Sequence, residues 1–326
     1  MDFQKINLQS LKSKIIKRQP LNREEANFLI YVPLEELCKA ANEIREYFCG
    51  NSFDVCSIFN GKCGKCSEDC KFCVQSSFYK TEITEFSMIE DKEKIIKEAL
   101  YNQAKGILRF SIVTSGRGLS DKETIITCAN YKAIADNCNI ILCASHGLLT
   151  NEQLKHLKKA GVNRIHCNLE TSRGYFPNIC TTHSYDDRVN TIKAAQKIGL
   201  EICSGGIFGL GESWEDRIDM ALDIRGLGIK SVPINMLRAI KGTPLESNKP
   251  LSLSEVRRIV AMFRFILPDA AIRIAAGRGL MADKGRTIFL SGANACITGD
   301  MLTTAGVHID EDIPMIKELG YRIEKL

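Results

Sequence analysis

Eight short runs rich in β-branched residues recur along this chain, and amphipathic segments with helix-capping signals separate them. The runs begin near Phe53, Ile107, Asn139, Asn163, Glu201, Ser231, Ala271 and Gly292. Parallel strands need a long crossover between them, and a helix is the usual filling, so this alternation predicts a parallel sheet wrapped by helices. Ser87 with Glu90, Ser120 with Glu123, Thr150 with Gln153, Ser213 with Asp216 and Ser252 with Glu255 each place a hydroxyl three residues before a side chain able to reach back to it. That is the spacing of a capping box at a helix start. Gly161 and Gly199 stand where helices would end. Eight such units predict an α/β fold, a (β/α)8 TIM-type barrel; an open doubly wound sheet is the competing arrangement. A length of 326 residues suits a single barrel.

The first stretch reads differently. Asn22 with Glu25 caps one helix, and Pro33 stops it. From Leu34 to Tyr47 a second helix places Leu37, Ala40, Ala41, Ile44 and, just beyond, Phe48 on one apolar face. The expected division is an N-terminal helical extension over residues 1–49, a barrel over 50–307 and a C-terminal segment over 308–326 that closes one mouth. A net charge of +5 without a basic, aromatic-laced stripe argues against nucleic acid. No apolar run is long enough for a membrane span, and the first residues lack the apolar core of a signal peptide. Fourteen cysteines in such a chain point to reduced thiols in a cytoplasm, in an oxygen-poor setting, rather than to a disulfide scaffold.

Three of these cysteines define the chemistry. Cys66, Cys70 and Cys73 lie four and then three residues apart, and the next cysteine is Cys128. Three thiolates on a short loop can hold three corners of a cubane iron–sulfur cluster and leave the fourth iron open. A zinc loop is the alternative, but a second ligand pair at the usual spacing does not follow. The loop comes after the first strand, which puts it at the C-terminal rim where barrels of this kind keep their active sites.

The run Gly61–Ser77 resembles the radical S-adenosylmethionine superfamily and, within it, the biotin synthase family. The likeness continues through Asn168–Ser172, Cys203–Ile207, Gly209–Glu212, Pro233–Leu237, Lys241–Pro244 and Arg273–Arg278, and covers about residues 50–305. It implies that Cys66, Cys70 and Cys73 bind a [4Fe-4S] cluster, whose open iron chelates S-adenosylmethionine and delivers the electron that yields a 5′-deoxyadenosyl radical. In the family the Gly205–Gly211 turn lies along the adenosine, with backbone approach at Gly205 and Gly206, though a tight strand-to-helix turn explains such glycines equally well. Asn168 and Glu170, two apart on the fourth strand and so on one face, suit the ribose hydroxyls, and Arg188 matches an arginine near the methionine carboxylate. The substrate implied is dethiobiotin. Asn235 and Asn168 would bind its ureido ring, Thr303 and Thr304 its carboxylate, and His166 shares the Asn168 face.

The family also implies an auxiliary cluster deep in the barrel that donates the inserted sulfur. Cys143, Cys203 and Arg273 match its ligands, but Ser111 stands where a further cysteine is usual. Serine oxygen is a poor replacement for a thiolate on iron. Cys56 and Cys296, on the neighbouring first and eighth strands, are the expected substitutes, and the cluster is either [2Fe-2S] or a four-iron variant; buried cysteines of a packing kind are the competing reading of this pair. Cys167, Cys38, Cys49, Cys128, Cys138 and Cys180 read as structural, and Cys63 receives no role. The expected activity is radical sulfur insertion by a sulfurtransferase, using two S-adenosylmethionine molecules per turnover, an electron donor such as flavodoxin or ferredoxin, and a homodimer. The rival readings are another radical enzyme of this branch, of the hydrogenase-maturase or methylornithine-synthase kind, and a non-catalytic iron–sulfur carrier.

Overall fold

The computed structural model describes residues 6–302 and 306–326. Its centre is a closed barrel of parallel strands: β1 (Ser52–Lys62), β2 (Arg109–Thr114), β3 (Ile141–Ser145), β4 (Val162–His166), β5 (Glu201–Cys203), β6 (Gly206–Phe208), β7 (Ser231–Met236), β8 (Ala271–Ile274) and β9 (Ala295–Thr298). Apart from β5 and β6, each strand pairs with the next in chain order, and β9 closes back on β1 through Asp54–Ala295 and Cys56–Ile297. β5 and β6 are two halves of one interrupted staff, both paired to β7, so the barrel has eight staves. The short β10 (Arg322–Ile323) adds to the start of β1, outside the ring. All eight strand starts fall within three residues of the positions expected from sequence.

The capping boxes explain why the crossover helices begin where they do. Ser120, Thr150, Ser213 and Ser252 each accept from the backbone N–H three residues on, while the acidic or amide partner reaches back. Ser184 with Asp187 forms another box. Ser87 with Glu90 does not: the helix Lys92–Ala104 starts later, capped by Asp91. The cause is visible in the backbone. Phe86 bridges to Cys63, and the Ile89 N–H donates to the Gly61 carbonyl at 2.9 Å, so this stretch lies extended beside the end of β1.

Two apolar regions follow from the alternation of side chains across each strand. The larger lies between the barrel and its helices. The smaller, Cys56, Ala275 and Ile297 with Ile58 and Met301 against it, is inside the barrel. The helix Leu34–Cys49 packs as a second layer on the helix Leu253–Ile266 by burying Leu37, Ala40, Ala41 and Ile44. Each fully buried leucine or isoleucine of that face contributes about 1.5–3 kcal/mol. The bidentate pair Arg257–Glu35, at 2.7 Å, marks the edge of this contact. At the N-terminal end of the barrel Phe53 packs edge-on to Phe289 and against Tyr321, with ring centroids 4.9 and 5.0 Å away, so the tail seals that end and the opposite mouth stays open.

Candidate functional site

The loop after β1 is held in shape by its own backbone. Cys66 N–H donates to the Gln75 carbonyl, Ser77 N–H to the Cys66 carbonyl, and Cys73 N–H to the Cys70 carbonyl. This turns Cys66, Cys70 and Cys73 toward one cavity of about 170 Å³ at the barrel mouth. Burial pushes the Cys73 thiol up to about 11, with the neighbouring Cys66 adding to it. The Cys70 thiol is pushed up further, by its hydrogen bond to Cys180 and by burial. Three thiols lining one cavity are suited to a cationic iron centre, which takes them as thiolates.

A larger cavity of about 340 Å³ adjoins it, and Phe72, Gly147, Glu170 and Arg188 line both. The expected ligand residues gather on this shared wall. β4 stops at His166, so Asn168 and Glu170 lie in the segment beyond the strand, not on it as their spacing suggested. Glu170 adopts a left-handed backbone, φ 69°, that turns the chain across to Gly206. Arg188, in the first turn of the helix Tyr185–Lys197, donates to the Asn168 carbonyl at 2.8 Å and lies 3.4 Å from the Glu170 carboxylate. Burial raises the Glu170 carboxyl despite the Arg188 charge. The Gly205 N–H donates to Asn168 Oδ1 at 3.2 Å. The glycines themselves are required by the chain. A Cβ on Gly205 would sit 2.0 Å from the Pro233 carbonyl oxygen, and one on Gly206 2.4 Å from that of Glu170.

Asn235 lines the larger cavity, but its amide also stitches strands: Nδ2 donates to the Gly206 carbonyl at 3.1 Å and Oδ1 accepts from Ala276 N–H at 3.2 Å. One N–H and one lone pair remain for a ligand. Thr303 and Thr304 lie outside the described residues.

Below this cavity the lumen carries the second cysteine group. Strand register places Ser111 beside Cys143 and His166 beside Cys203. Burial works to raise Cys203, but His166, Arg273 and Arg164 outweigh it and hold the thiol at about 6. Burial likewise opposes charge on His166, and the Cys203 and Cys143 charges leave it at about 9. His166 therefore serves the thiols as well as the cavity wall it was expected to share with Asn168. Arg273 Nη1 donates to Cys56 Sγ at 3.2 Å, and its Nη2 pairs with Asp54 Oδ1 at 2.6 Å. Asp54 thus answers the charge of this buried arginine. Ser111 Oγ, His166 Nε2 and Arg273 Nε are buried without hydrogen-bond partners. Three thiols with these orphaned polar atoms fit a metal–sulfide group in the lumen.

Cys296 corrects the expected set. Its neighbour Ile297 lines the lumen cavity, and β1 registers Cys56 opposite Ile297 and Val55 opposite Cys296. The Cys296 side chain therefore faces the helices and packs in the outer core, while Cys56 faces inward.

Sequence reasoning missed Glu68, Cys180 and His183, which meet at the back of the cysteine loop, and Asp54, Arg109 and Arg164, which floor the lumen. The Cys180-to-His183 spacing and the position of Asp54 two residues before Cys56 were the available signals. Cys180, read as structural, lies 3.7 Å from Cys70 Sγ and 3.2 Å from His183 Nδ1.

The chain is similar to known proteins along nearly its whole length. The radical SAM superfamily profile matches residues 62–224, and that of the biotin and thiamin synthesis associated domain matches 233–322. The chain is 57% identical to the biotin synthase of Akkermansia muciniphila, over 96% of this chain and 98% of that one. It is 56% identical to the biotin synthase of Brachyspira hyodysenteriae, over 98% and 96%. Among solved structures, methylornithine synthase superposes with a TM-score of 0.84 at 18% identity, over 97% of each chain. A maturase of the [FeFe]-hydrogenase gives 0.81 at 18%, over 98% of this chain and 76% of that one. At that identity the structural likeness establishes the barrel alone and carries neither rival activity.

Proposed function

Because this chain belongs to the biotin synthases, a family of radical S-adenosylmethionine enzymes, we propose that it inserts sulfur into dethiobiotin, as a sulfurtransferase, within the two adjoining cavities of the barrel mouth. The observation that carries this reading is the wall they share. Glu170 and Arg188 line both spaces, so a ligand held beside the cysteine loop and a substrate in the lumen would lie next to each other.

In this reading Cys66, Cys70 and Cys73 would hold the [4Fe-4S] cluster, which would supply the electron for cleavage of S-adenosylmethionine. Arg188 neutralises the carboxylate of that ligand, and Glu170 and Asn168 accept and donate at its ribose. The loop backbone at Gly205 and Gly206 forms a flat floor. The spare N–H and lone pair of Asn235 meet the donor and acceptor edges of the ureido ring. Phe72 and the apolar lumen wall of Ile58 and Ile297 exclude water, which protects a carbon radical from side reactions.

Cys143, Cys203 and Cys56, with Arg273, are the residues for the auxiliary cluster that provides sulfur. Cys56 replaces the thiol that Ser111 lacks. A four-iron variant suits this altered set, since Cys56 on β1 stands across the lumen from Cys203 on β5 in the strand order, with Cys143 on β3 between them. An electron donor of the flavodoxin or ferredoxin type, a homodimer, cytoplasmic residence and the three-part division at residues 49 and 307 complete the proposal. Among the described residues no helix is long and apolar enough to cross a membrane.

The test is an anaerobic assay of reconstituted protein with S-adenosylmethionine and a reductant. Dethiobiotin should stimulate cleavage of S-adenosylmethionine, and biotin should form. Cleavage indifferent to dethiobiotin would overturn the assignment.

A further inference from the structure

Cys180 lies far from the cysteine loop in sequence and is fastened against it in space. The Lys71 N–H donates to the Ile179 carbonyl at 2.9 Å. The Asp69 carboxylate accepts from the Thr181 N–H at 2.8 Å and the Thr182 N–H at 3.2 Å. The residues on either side of Cys70 are thus tied to the segment Ile179–Thr182, and Cys180 Sγ comes to rest 3.7 Å from Cys70 Sγ, both buried. That separation is within the reach of a sulfur–sulfur hydrogen bond.

The direction of that bond follows from its neighbours. Arg188 can only donate. Its Nε lies 3.1 Å from His183 Nε2, so that ring nitrogen accepts and Nδ1 carries the ring's proton. His183 Nδ1 then donates into the space between the Glu68 carboxylate, at 2.5 Å, and Cys180 Sγ, at 3.2 Å. Glu68 also takes the Thr182 hydroxyl at 2.8 Å, which fixes the corner. Cys180 sulfur is thereby an acceptor toward His183; in the metal-free chain the Cys70 thiol donates to it across the 3.7 Å contact, and once Cys70 gives up its proton to iron the Cys180 S–H is the one left to point back at Cys70. An iron-bound Cys70 is a thiolate with lone pairs and no proton, the complementary acceptor.

We propose that Cys180 is a positioning residue for the iron–sulfur centre: its thiol hydrogen-bonds to the Cys70 sulfur and raises the reduction potential of the cluster held by Cys66, Cys70 and Cys73. The proposal rests on the cluster assignment made above. Hydrogen bonds to cluster sulfurs favour the more electron-rich, reduced form. The donors run in one direction, Arg188 to His183 to Cys180 to Cys70, so the arginine assigned to the S-adenosylmethionine carboxylate and a cluster sulfur belong to one chain of contacts.

The experiment is a redox titration followed by electron paramagnetic resonance on anaerobically reconstituted protein. A Cys143→Ala/Cys203→Ala background leaves a single cluster to observe. Cys180→Ala should keep four irons per chain and shift the midpoint to more negative potential. Cys180→Ser, which keeps an O–H donor, should recover most of the shift. His183→Gln, which leaves Cys180 in place but unaimed, should move the midpoint in the same direction as alanine. An unchanged midpoint in Cys180→Ala, or a serine variant displaced as far as alanine, overturns the proposal. Loss of iron from Cys180→Ala overturns it too, by making the residue a ligand. None of these readings depends on dethiobiotin, so a failed biotin assay with a normal potential series would strike only the functional reading.

Discussion

His146 shows how a single side chain at this mouth is set by its surroundings. The ring is buried, with Nδ1 2.9 Å from the Thr114 hydroxyl and Nε2 3.1 Å from the Tyr131 hydroxyl. Burial lowers it from 6.5 to about 3, so the folded protein keeps it neutral. Above pH 6.5 the ring is neutral in both folded and unfolded chains and contributes no pH dependence. Below it the unfolded chain takes up a proton that the folded chain refuses until about pH 3, so stability falls as pH falls through that window. One such group contributes a slope of about 1.4 kcal/mol per pH unit. Denaturant unfolding of the metal-free protein between pH 6.5 and 4.5 should show a shallower loss in His146→Gln than in wild type; parallel curves would remove His146 from the acid limb. Nothing in the local sequence announces this histidine, because its partners come from a strand and a helix well before it. The same holds for Cys180. Its role depends on contacts with Glu68, Asp69 and Lys71, more than a hundred residues earlier, and the spacing to His183 was the one local trace.

At the scale of elements, helix starts were legible because a capping box is a local device: both partners lie within one turn, and both donors they satisfy would otherwise be orphaned. The misplaced start at Ser87 fell to a non-local competitor, the pairing of Phe86 and Ile89 with the end of β1. The C-terminal helix Ile309–Glu318 owes its position to a contact of the second kind. Arg278, buried at the C-terminal side of β8, donates from Nη1 to Asp312 Oδ1 at 2.6 Å and from Nη2 to the other carboxylate oxygen, and Asp312 is itself fully buried. Breaking such a pair from one side leaves an uncompensated charge in the interior, at a cost of about 3–5 kcal/mol. Asp312→Ala should lower the denaturation midpoint accordingly and make the tail beyond residue 306 the first site of limited proteolysis. Retained midpoint and protease resistance would mean that the aromatic contacts of Phe53, Phe289 and Tyr321 suffice to dock the tail.

For the whole molecule, the barrel was readable because its eight strand–helix units repeat one rhythm, and a rhythm survives errors of a residue or two at each boundary. The faces of the strands do not. Side chains alternate with period two, so a shift of one residue exchanges lumen for outer core. Cys56 and Cys296 lie on adjacent strands, which made them look like a pair in sequence. The register that sets Cys56 against Ile297 sends Cys296 outward, into the core between barrel and helices. Cys56 instead meets Arg273, with Cys143, Cys203 and the unpartnered Ser111 hydroxyl on the same inner surface. This separates two variants that sequence alone treats alike. Iron and sulfide are counted per chain after anaerobic reconstitution, in a Cys66→Ala/Cys70→Ala/Cys73→Ala background that retains only the auxiliary site. Cys56→Ala should then lose most of the remaining iron. Cys296→Ala should keep it and show only the roughly 1 kcal/mol expected of a small packing change. Equal iron in both would leave Cys56 a lumen-packing residue and return the auxiliary cluster to Cys143, Cys203 and Arg273. Loss in both would mean that the outer face of β9 reaches the cluster, which the observed register forbids without a slip of the strand.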